Sequence, residues 1–254
     1  MFSLQGKTAL VVGIANEHSI AYGIAKALKD AGAELVLTYL NAKARPYVEP
    51  LAEALGAKLF MPLDVTNADQ QDALFAAISD TCGGVDIMVH SIAFCPAEDL
   101  HGRVTDCSRD GFLQAMDVSV HSFLRLIKAA EPLMPDGGTY MTVSYYGAEK
   151  VVDHYNIMGP VKSALESVTR YTAAELGPKG IRVHALSPGP LATRAASGID
   201  HFDQLLNDAA DRAPTHHLAT IEDVGACAAF LASDAAKNMT GGVHMIDGGY
   251  SILS

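Results

Sequence analysis

Nowhere in the 254 residues do 18 apolar residues follow one another, so the chain offers no membrane-spanning helix. The opening Met-Phe-Ser-Leu-Gln-Gly-Lys has no apolar run of the kind a secretory leader carries. Cysteine is scarce. Cys82, Cys95, Cys107 and Cys227 are scattered without a CxxC pair, which argues against a zinc site and for a reduced, cytoplasmic protein. Positive charge is short as well: 18 Lys and Arg stand against 29 Asp and Glu, a formal net charge of −11. No basic run offsets that excess, so the composition argues against a nucleic-acid partner. Only 19% of residues are charged, which suits a body with much of its surface covered, as in an oligomer. With 49% hydrophobic residues, the chain can build one large core.

Apolar runs alternate with helical patterns, the mark of a parallel sheet covered on both faces. Strands are expected at Thr8–Val12, Glu34–Tyr39, Lys58–Leu63, Val85–His90, Gly138–Ser144, Ile181–Leu186 and Val243–Ile246. Helices are expected from Ser19 to about Asp30, as one long helix from about Arg109 to Leu133, and around Lys162 as far as Leu176. There is no composition break and no repeat. The expected fold is α/β: a single doubly wound Rossmann-like domain, residues 1–254, with a seven-stranded parallel sheet. Ligands of such sheets bind beyond the carboxyl ends of the strands. The irregular stretch at about 187–214 therefore lies on the ligand side, placed to act as a lid.

The first strand runs into Gly13, where a glycine lets the backbone turn tightly and approach a pyrophosphate. Ser19 stands where a helix N-cap belongs, and its hydroxyl or amide can bind a phosphate oxygen. The pattern is not GxGxxG, and a plain strand-to-helix turn with a serine cap remains the alternative. Asp64-Val65 ends strand three; the carboxylate can bond an adenine amino group, cap the helix that follows Thr66, or do both. Small residues after His90 let the backbone pass close to a nicotinamide ribose, while His90 itself reads as structural. Tyr145 is placed to line the same pocket, or to pack on the sheet edge.

Tyr155-Asn-Ile-Met-Gly-Pro-Val-Lys162 pairs a phenol with an ammonium. The lysine would hold a cofactor ribose and lower the phenol's pKa, and the phenol would stabilise a developing oxyanion. In a regular helix the two would face the same side, separated by ~10 Å of rise, against ~6 Å at a four-residue spacing. A phenol set farther from the lysine fits hydride delivery to a β-carbon, two carbons from the oxygen that needs stabilising. Pro160 cannot donate to Asn156 and tends to occupy a first turn, which places Tyr155 just ahead of the regular helix. A merely amphipathic surface pair is the alternative. His216-His217 and the other histidines show no metal spacing, so no metal is expected.

With these motifs the chain resembles the short-chain dehydrogenase/reductase superfamily, and within it the divergent branch of bacterial enoyl-acyl-carrier-protein reductases of type II fatty acid synthesis. The resemblance rests on Gly13, Ser19 and Gly23 at their spacing, on His90-Ser-Ile-Ala-Phe94, and on Tyr145 with Tyr155 and Lys162. It extends through Ser187-Pro-Gly-Pro-Leu-Ala-Thr193-Arg-Ala-Ala-Ser-Gly198, Ile221-Glu-Asp-Val-Gly225 and Ile246-Asp-Gly-Gly249. It implies that Lys162 binds the nicotinamide ribose, that Tyr155 bonds the thioester oxygen and that Tyr145 lines the acyl pocket. Gly13, Ser19, Ile20, Asp64, Val65, Ser91, Ile92 and Thr193 would contact the cofactor. It further implies a homotetramer and an enoyl thioester of acyl carrier protein or coenzyme A as substrate. NADH is the expected cofactor, with NADPH as the alternative: no acid follows strand two, which weakens the case for NADH, but the family's common preference and the neutral Leu40-Asn41 favour it, and a solvated helix start explains the nearby Lys43 and Arg45. A carbonyl reductase and a non-catalytic dinucleotide sensor are the competing readings; the Tyr–Lys spacing argues against the first and the intact pair against the second.

The lid is acidic. From Gly198 to Asp211 the charged residues are Asp200, Asp203, Asp208 and Asp211. Acyl carrier proteins are acidic too, so like charges should slow their encounter at low salt; aspartates that merely solvate an exposed helix are the alternative. In a salt series on one enoyl chain, attached to acyl carrier protein and to coenzyme A, Asp203→Lys plus Asp208→Lys should raise the carrier-linked rate at low salt; an unchanged rate would end the repulsion idea.

Overall fold

The computed structural model describes residues 2–191, 206 and 209–253, and the architecture follows from them. Seven parallel strands run in the order β3-β2-β1-β4-β5-β6-β7. They are β1 (Thr8–Val12), β2 (Glu34–Tyr39), β3 (Leu59–Pro62), β4 (Ile87–His90), β5 (Gly138–Val143), β6 (Ile181–Pro188) and β7 (Val243–Ile246). Their side chains alternate between two cores. Leu10, Val12 and Val36 face one layer, while Ala9, Val11, Leu35 and Leu37 face the other. A strand buried on both faces must be apolar at every position, which is why these segments read as continuous runs rather than alternating ones.

The helices are α1 (Ile20–Asp30), α2 (Arg45–Ala54), α3 (Ala68–Cys82), α4 (Ala97–Leu100), α5 (Arg109–Met116), α6 (Ser122–Ala130), α7 (Met158–Leu176) and α8 (Ile221–Ala232). The expected long helix from Arg109 to Leu133 is interrupted. A π-turn at Asp117–His121 separates α5 from α6, and Glu131–Leu133 tightens into a 3₁₀ turn. The π-turn adds a residue to the helical repeat, and two serines use the offset. Ser119 Oγ accepts from Phe94 N–H at 3.0 Å and donates to Phe94 O at 3.2 Å; Ser122 Oγ donates to Val118 O at 2.6 Å. Along α7, Leu165, Thr172 and Leu176 are buried within this one chain and Val168 packs partly buried against the same core, while Tyr171 stands exposed.

The strand order reverses between β1 and β4, and the crevice beyond their carboxyl ends is where such sheets hold ligands. Behind that crevice, α1 packs on α8 at backbone distance. A Cβ built on Gly23 would lie 2.3 Å from Ile221 O, and one on Gly225 would lie 2.5 Å from Gly23 O. α8 starts from a capping box in which Thr220 and Asp223 bond each other's backbone N–H, so its end cannot easily slide away. Gly23→Ala should therefore overpack a backbone contact and cost about 1–3 kcal/mol, read as a lowered urea midpoint with an unchanged slope.

Candidate active site

The crevice contains a cavity of about 420 Å³. Ile20, Ser91, Ile92, Tyr145, Tyr155 and Lys162 all line it, so six of the expected site residues converge from α1, the β4 exit, the β5 exit and α7. Phe94, Leu100, Met158 and Leu191 supply apolar walls, and the Cys95 thiol lies among them, its pKa pushed up to about 11 mainly by burial.

Tyr155 lies just ahead of α7, as Pro160 in the first turn requires. It is bracketed by two left-handed residues, His154 at φ 64° and Asn156 at φ 45°. Asn156 is held there by its side chain, whose Nδ2 donates to Leu100 O at 2.7 Å. The 10 Å rise expected for a continuous helix therefore does not apply; a turn, not a helix face, aims the phenol. Its ring meets Tyr145 edge-on at 4.9 Å between centroids. Burial, then the neighbouring Tyr145 and Glu166, raise the Tyr155 pKa well above the usual phenol value. This reverses the expectation that Lys162 lowers it: in this pocket desolvation of the phenolate is the largest influence and favours the protonated phenol. Tyr145 is raised likewise, chiefly by burial, and its hydroxyl is buried without a hydrogen-bond partner among the described residues.

Lys162 is 4% exposed, and its Nζ donates to Val143 O at 2.6 Å. Burial lowers its pKa to about 8, while the Glu166 carboxylate one helical turn on raises it. Glu166 is buried too, and its Oε1 accepts from Ser144 Oγ at 2.6 Å. Nothing in the residue pattern singled out Glu166 or Ser144; the spacing of four from Lys162 was the available signal.

The cofactor residues divide. Gly13, at φ 113°, turns the chain so closely over β4 that a Cβ there would fall 2.1 Å from Ser91 O. Ser19 is the N-cap of α1, but its hydroxyl accepts from Ala15 N–H and Asn16 N–H at 3.0 Å each instead of capping the helix. It shapes the loop, and helix geometry leaves the amides of Ile20 and Ala21 as donors for an anion, with no acid in that first turn to repel it. Asp64 Oδ1 accepts from Thr66 N–H and Oγ1–H at the exit of β3, and Asn67, not Asp64, caps α3. Val65 O accepts from Arg125 at 2.8 Å. Asp64 and Val65 thus sit at the β3 end of the sheet, outside the cavity lining, as an adenine end requires. Thr193 lies outside the described residues, as do Asp200, Asp203 and Asp208 of the expected lid. Arg45 lies 5.8 Å over the Tyr39 ring and is paired to Glu49 at 2.6 Å, consistent with an exposed helix start. A glycine cradle, free helix amides and a buried ammonium in one crevice fit a dinucleotide.

A family model described as enoyl-(acyl carrier protein) reductase matches residues 13–251. The chain belongs to that family. The enoyl-acyl-carrier-protein reductase (NADH) 1 of Rhizobium meliloti is 47% identical over 247 residues, 97% of this chain and 91% of the relative. Among solved structures, the Bacillus cereus enoyl-acyl carrier protein reductase with NADP+ and an indole naphthyridinone superposes at TM-score 0.97. It is 42% identical, and the match covers 100% of both chains. The Anaplasma phagocytophilum reductase in complex with NAD gives 0.95 and 43%, covering 99% of this chain and 96% of that one.

In this enoyl reductase, His90 is confirmed as structural. It is fully buried, with Nδ1 3.0 Å from Thr142 Oγ1 and Nε2 2.8 Å from Ser122 Oγ. Because Ser122 gives its own proton to Val118 O, the ring donates to it from Nε2; with the ring neutral, Nδ1 then accepts from Thr142 Oγ1–H. Burial and then Lys162 hold its pKa near 3. His184, 3.0 Å from His244, is likewise held near 3, mainly by burial. Unfolded, both would titrate near 6.5, so their stabilisation is complete above that pH and is lost as pH falls toward 3. Stability from urea melts should fall by about 1.4 kcal/mol per pH unit for each histidine between pH 6 and 4.5, and His90→Gln should flatten the slope.

Proposed function

We propose that this pocket reduces trans-2-enoyl thioesters of acyl carrier protein at the expense of NADH, with Tyr155 and Lys162 in separate roles. The observation that carries the assignment of roles is a protonated phenol and a buried ammonium lining one cavity with apolar walls. NADH, when bound, supplies a hydride to the β-carbon. Negative charge then gathers on the thioester oxygen as an enolate, and Tyr155 donates a hydrogen bond to that oxygen in a site where little water screens it. Protonation at the α-carbon completes the reduction. Tyr145, edge-on to Tyr155, limits the phenol's motion and closes the acyl side. Phe94, Leu100, Met158 and Leu191 hold the acyl chain and exclude water.

Lys162 holds the nicotinamide ribose hydroxyls, beside Ser91 and Ile92. Gly13, Ser19 and Ile20 receive the pyrophosphate, Ser19 by shaping the loop, and Asp64 and Val65 meet the adenine. Thr193 belongs to the same set by resemblance. The NADH-dependent relatives and the lack of a free arginine at the β2 end, where Arg45 is paired with Glu49, favour NADH, although no acid stands there to grip the adenosine 2′-hydroxyl. The protein works in the cytoplasm as a homotetramer, with the exposed Tyr171 of α7 suited to a subunit contact. Among the described residues, no helix is long and apolar enough to cross a membrane, and no group of His, Cys, Asp and Glu could hold a metal ion.

Mixed with a crotonyl or longer 2-enoyl thioester and NADH, the protein should oxidise the cofactor, and a simple ketone should not replace the thioester. Lys162→Ala should abolish measurable NADH binding by calorimetry, whereas Tyr155→Phe should cut turnover 10²-fold or so and leave binding intact. Equal binding losses in the two variants would contradict the division of roles.

A further inference from the structure

Lys162 is a cation with almost no access to water, and among the described residues its hydrogen-bond acceptor is a backbone carbonyl, Val143 O. A carbonyl dipole holds the nitrogen in place but cannot match its charge. The titratable groups around the ammonium are His90 at the end of β4, Tyr155 and Tyr145, which line the same cavity, and Glu166 on α7 itself. His90 is neutral and both phenols are protonated. Glu166 is the remaining group that brings negative charge.

The carboxylate is built in rather than incidental. It is 5% exposed, and Ser144 Oγ donates to its Oε1. Ser144 directly follows Val143, so the β5 exit grips both members of the pair, the lysine by a carbonyl and the glutamate by a hydroxyl. Burial, with Glu149 adding to it, raises the Glu166 pKa above the usual carboxylate value; the Ser144 hydrogen bond, Arg170 one turn on at the exposed side of α7, and Lys162 pull the other way and favour the ionised form. A purely structural acceptor for Ser144 would need no charge, and glutamine would fill that role without the desolvation burial imposes on a carboxylate.

We infer that Glu166 is a positioning residue of the reductase: it acts through Lys162, keeping the buried ammonium charged and set for the cofactor ribose across the working pH range. The inference rests on the proposed role of Lys162. Removing the carboxylate leaves burial unopposed, so Lys162 gives up its proton at a lower pH and cofactor affinity fades earlier on the alkaline side.

The test is NADH binding by calorimetry on the full-length protein from pH 6.5 to 9.5, with the thermal midpoint at pH 6.5 recorded for each variant. Glu166→Gln keeps an acceptor for Ser144 and loses only the charge. Its alkaline loss of binding should begin about one pH unit below wild type, a gap of up to tenfold in Kd near pH 8. Ser144→Ala weakens the carboxylate's ionisation without touching α7, and should shift the curve the same way by less. A downward shift in whichever variant folds supports the inference. Curves that coincide with wild type, or that differ by a constant factor at every pH, overturn it and leave Glu166 a packing residue. Lys162→Ala separates the two levels: if it binds NADH like wild type, the role of Lys162 itself is wrong; if it fails to bind while Glu166→Gln titrates like wild type, only the role of Glu166 is.

Discussion

An ammonium taken out of water at the end of a central strand is the constraint on which this structure depends. Lys162 cannot be buried there unless β5 offers it a carbonyl, and β5 can offer Val143 O only if α7 lies close over the sheet. That closeness brings Ser144 under Glu166 and Tyr145 against Tyr155. The same desolvation that lowers the lysine pKa raises those of the two phenols. One physical cause thus produces a weakly held proton on the cation beside firmly held protons on the phenols, which suits the proposed division between a group that binds a ribose and one that donates to an oxyanion.

Tyr155 shows how the chain spends local strain to reach that arrangement. Left-handed backbone at two non-glycine residues costs on the order of 1–3 kcal/mol each. Both flank the phenol, and the Asn156 side chain and the start of α7 hold the turn in place. A phenol carried on a regular helix would have a direction set by the helix axis. Carried on a strained turn, its direction is set by its own neighbours and is independent of where Lys162 falls on α7.

Much of this was legible in the sequence, for identifiable reasons. Strands buried on both faces advertise themselves as short apolar runs, so β1, β2 and β7 were placed to the residue, while β3 and β4 were drawn too long where their ends leave the ladder. Proline chemistry placed Tyr155 ahead of α7 correctly. The missed features all depend on contacts distant in the chain. Asp117-Val-Ser-Val-His121 contains nothing that a regular helix would refuse, and the π-turn exists because Ser119 and Ser122 find partners in the β4 exit. Glu166 looks like any exposed glutamate until β5 covers it. The sign of the Tyr155 shift could not be read either, because spacing reports which charges are near and says nothing about how much water remains.

The widened turn between α5 and α6 also sets how the pocket floor can move. Residues 90–94 leave β4, with Ser91 and Ile92 lining the cavity, and the turn grips them at both ends: Ser122 holds His90 and Ser119 holds Phe94. His90 is tied in turn to Thr142 on β5. Displacing this floor means breaking those bonds together, so its fluctuations are cooperative with those of the helix and the sheet rather than local to a loop. The floor of the crevice at the β4 exit is in that sense a rigid stage, and a bulky ligand must fit the floor as it stands or gain its room from the opposite wall.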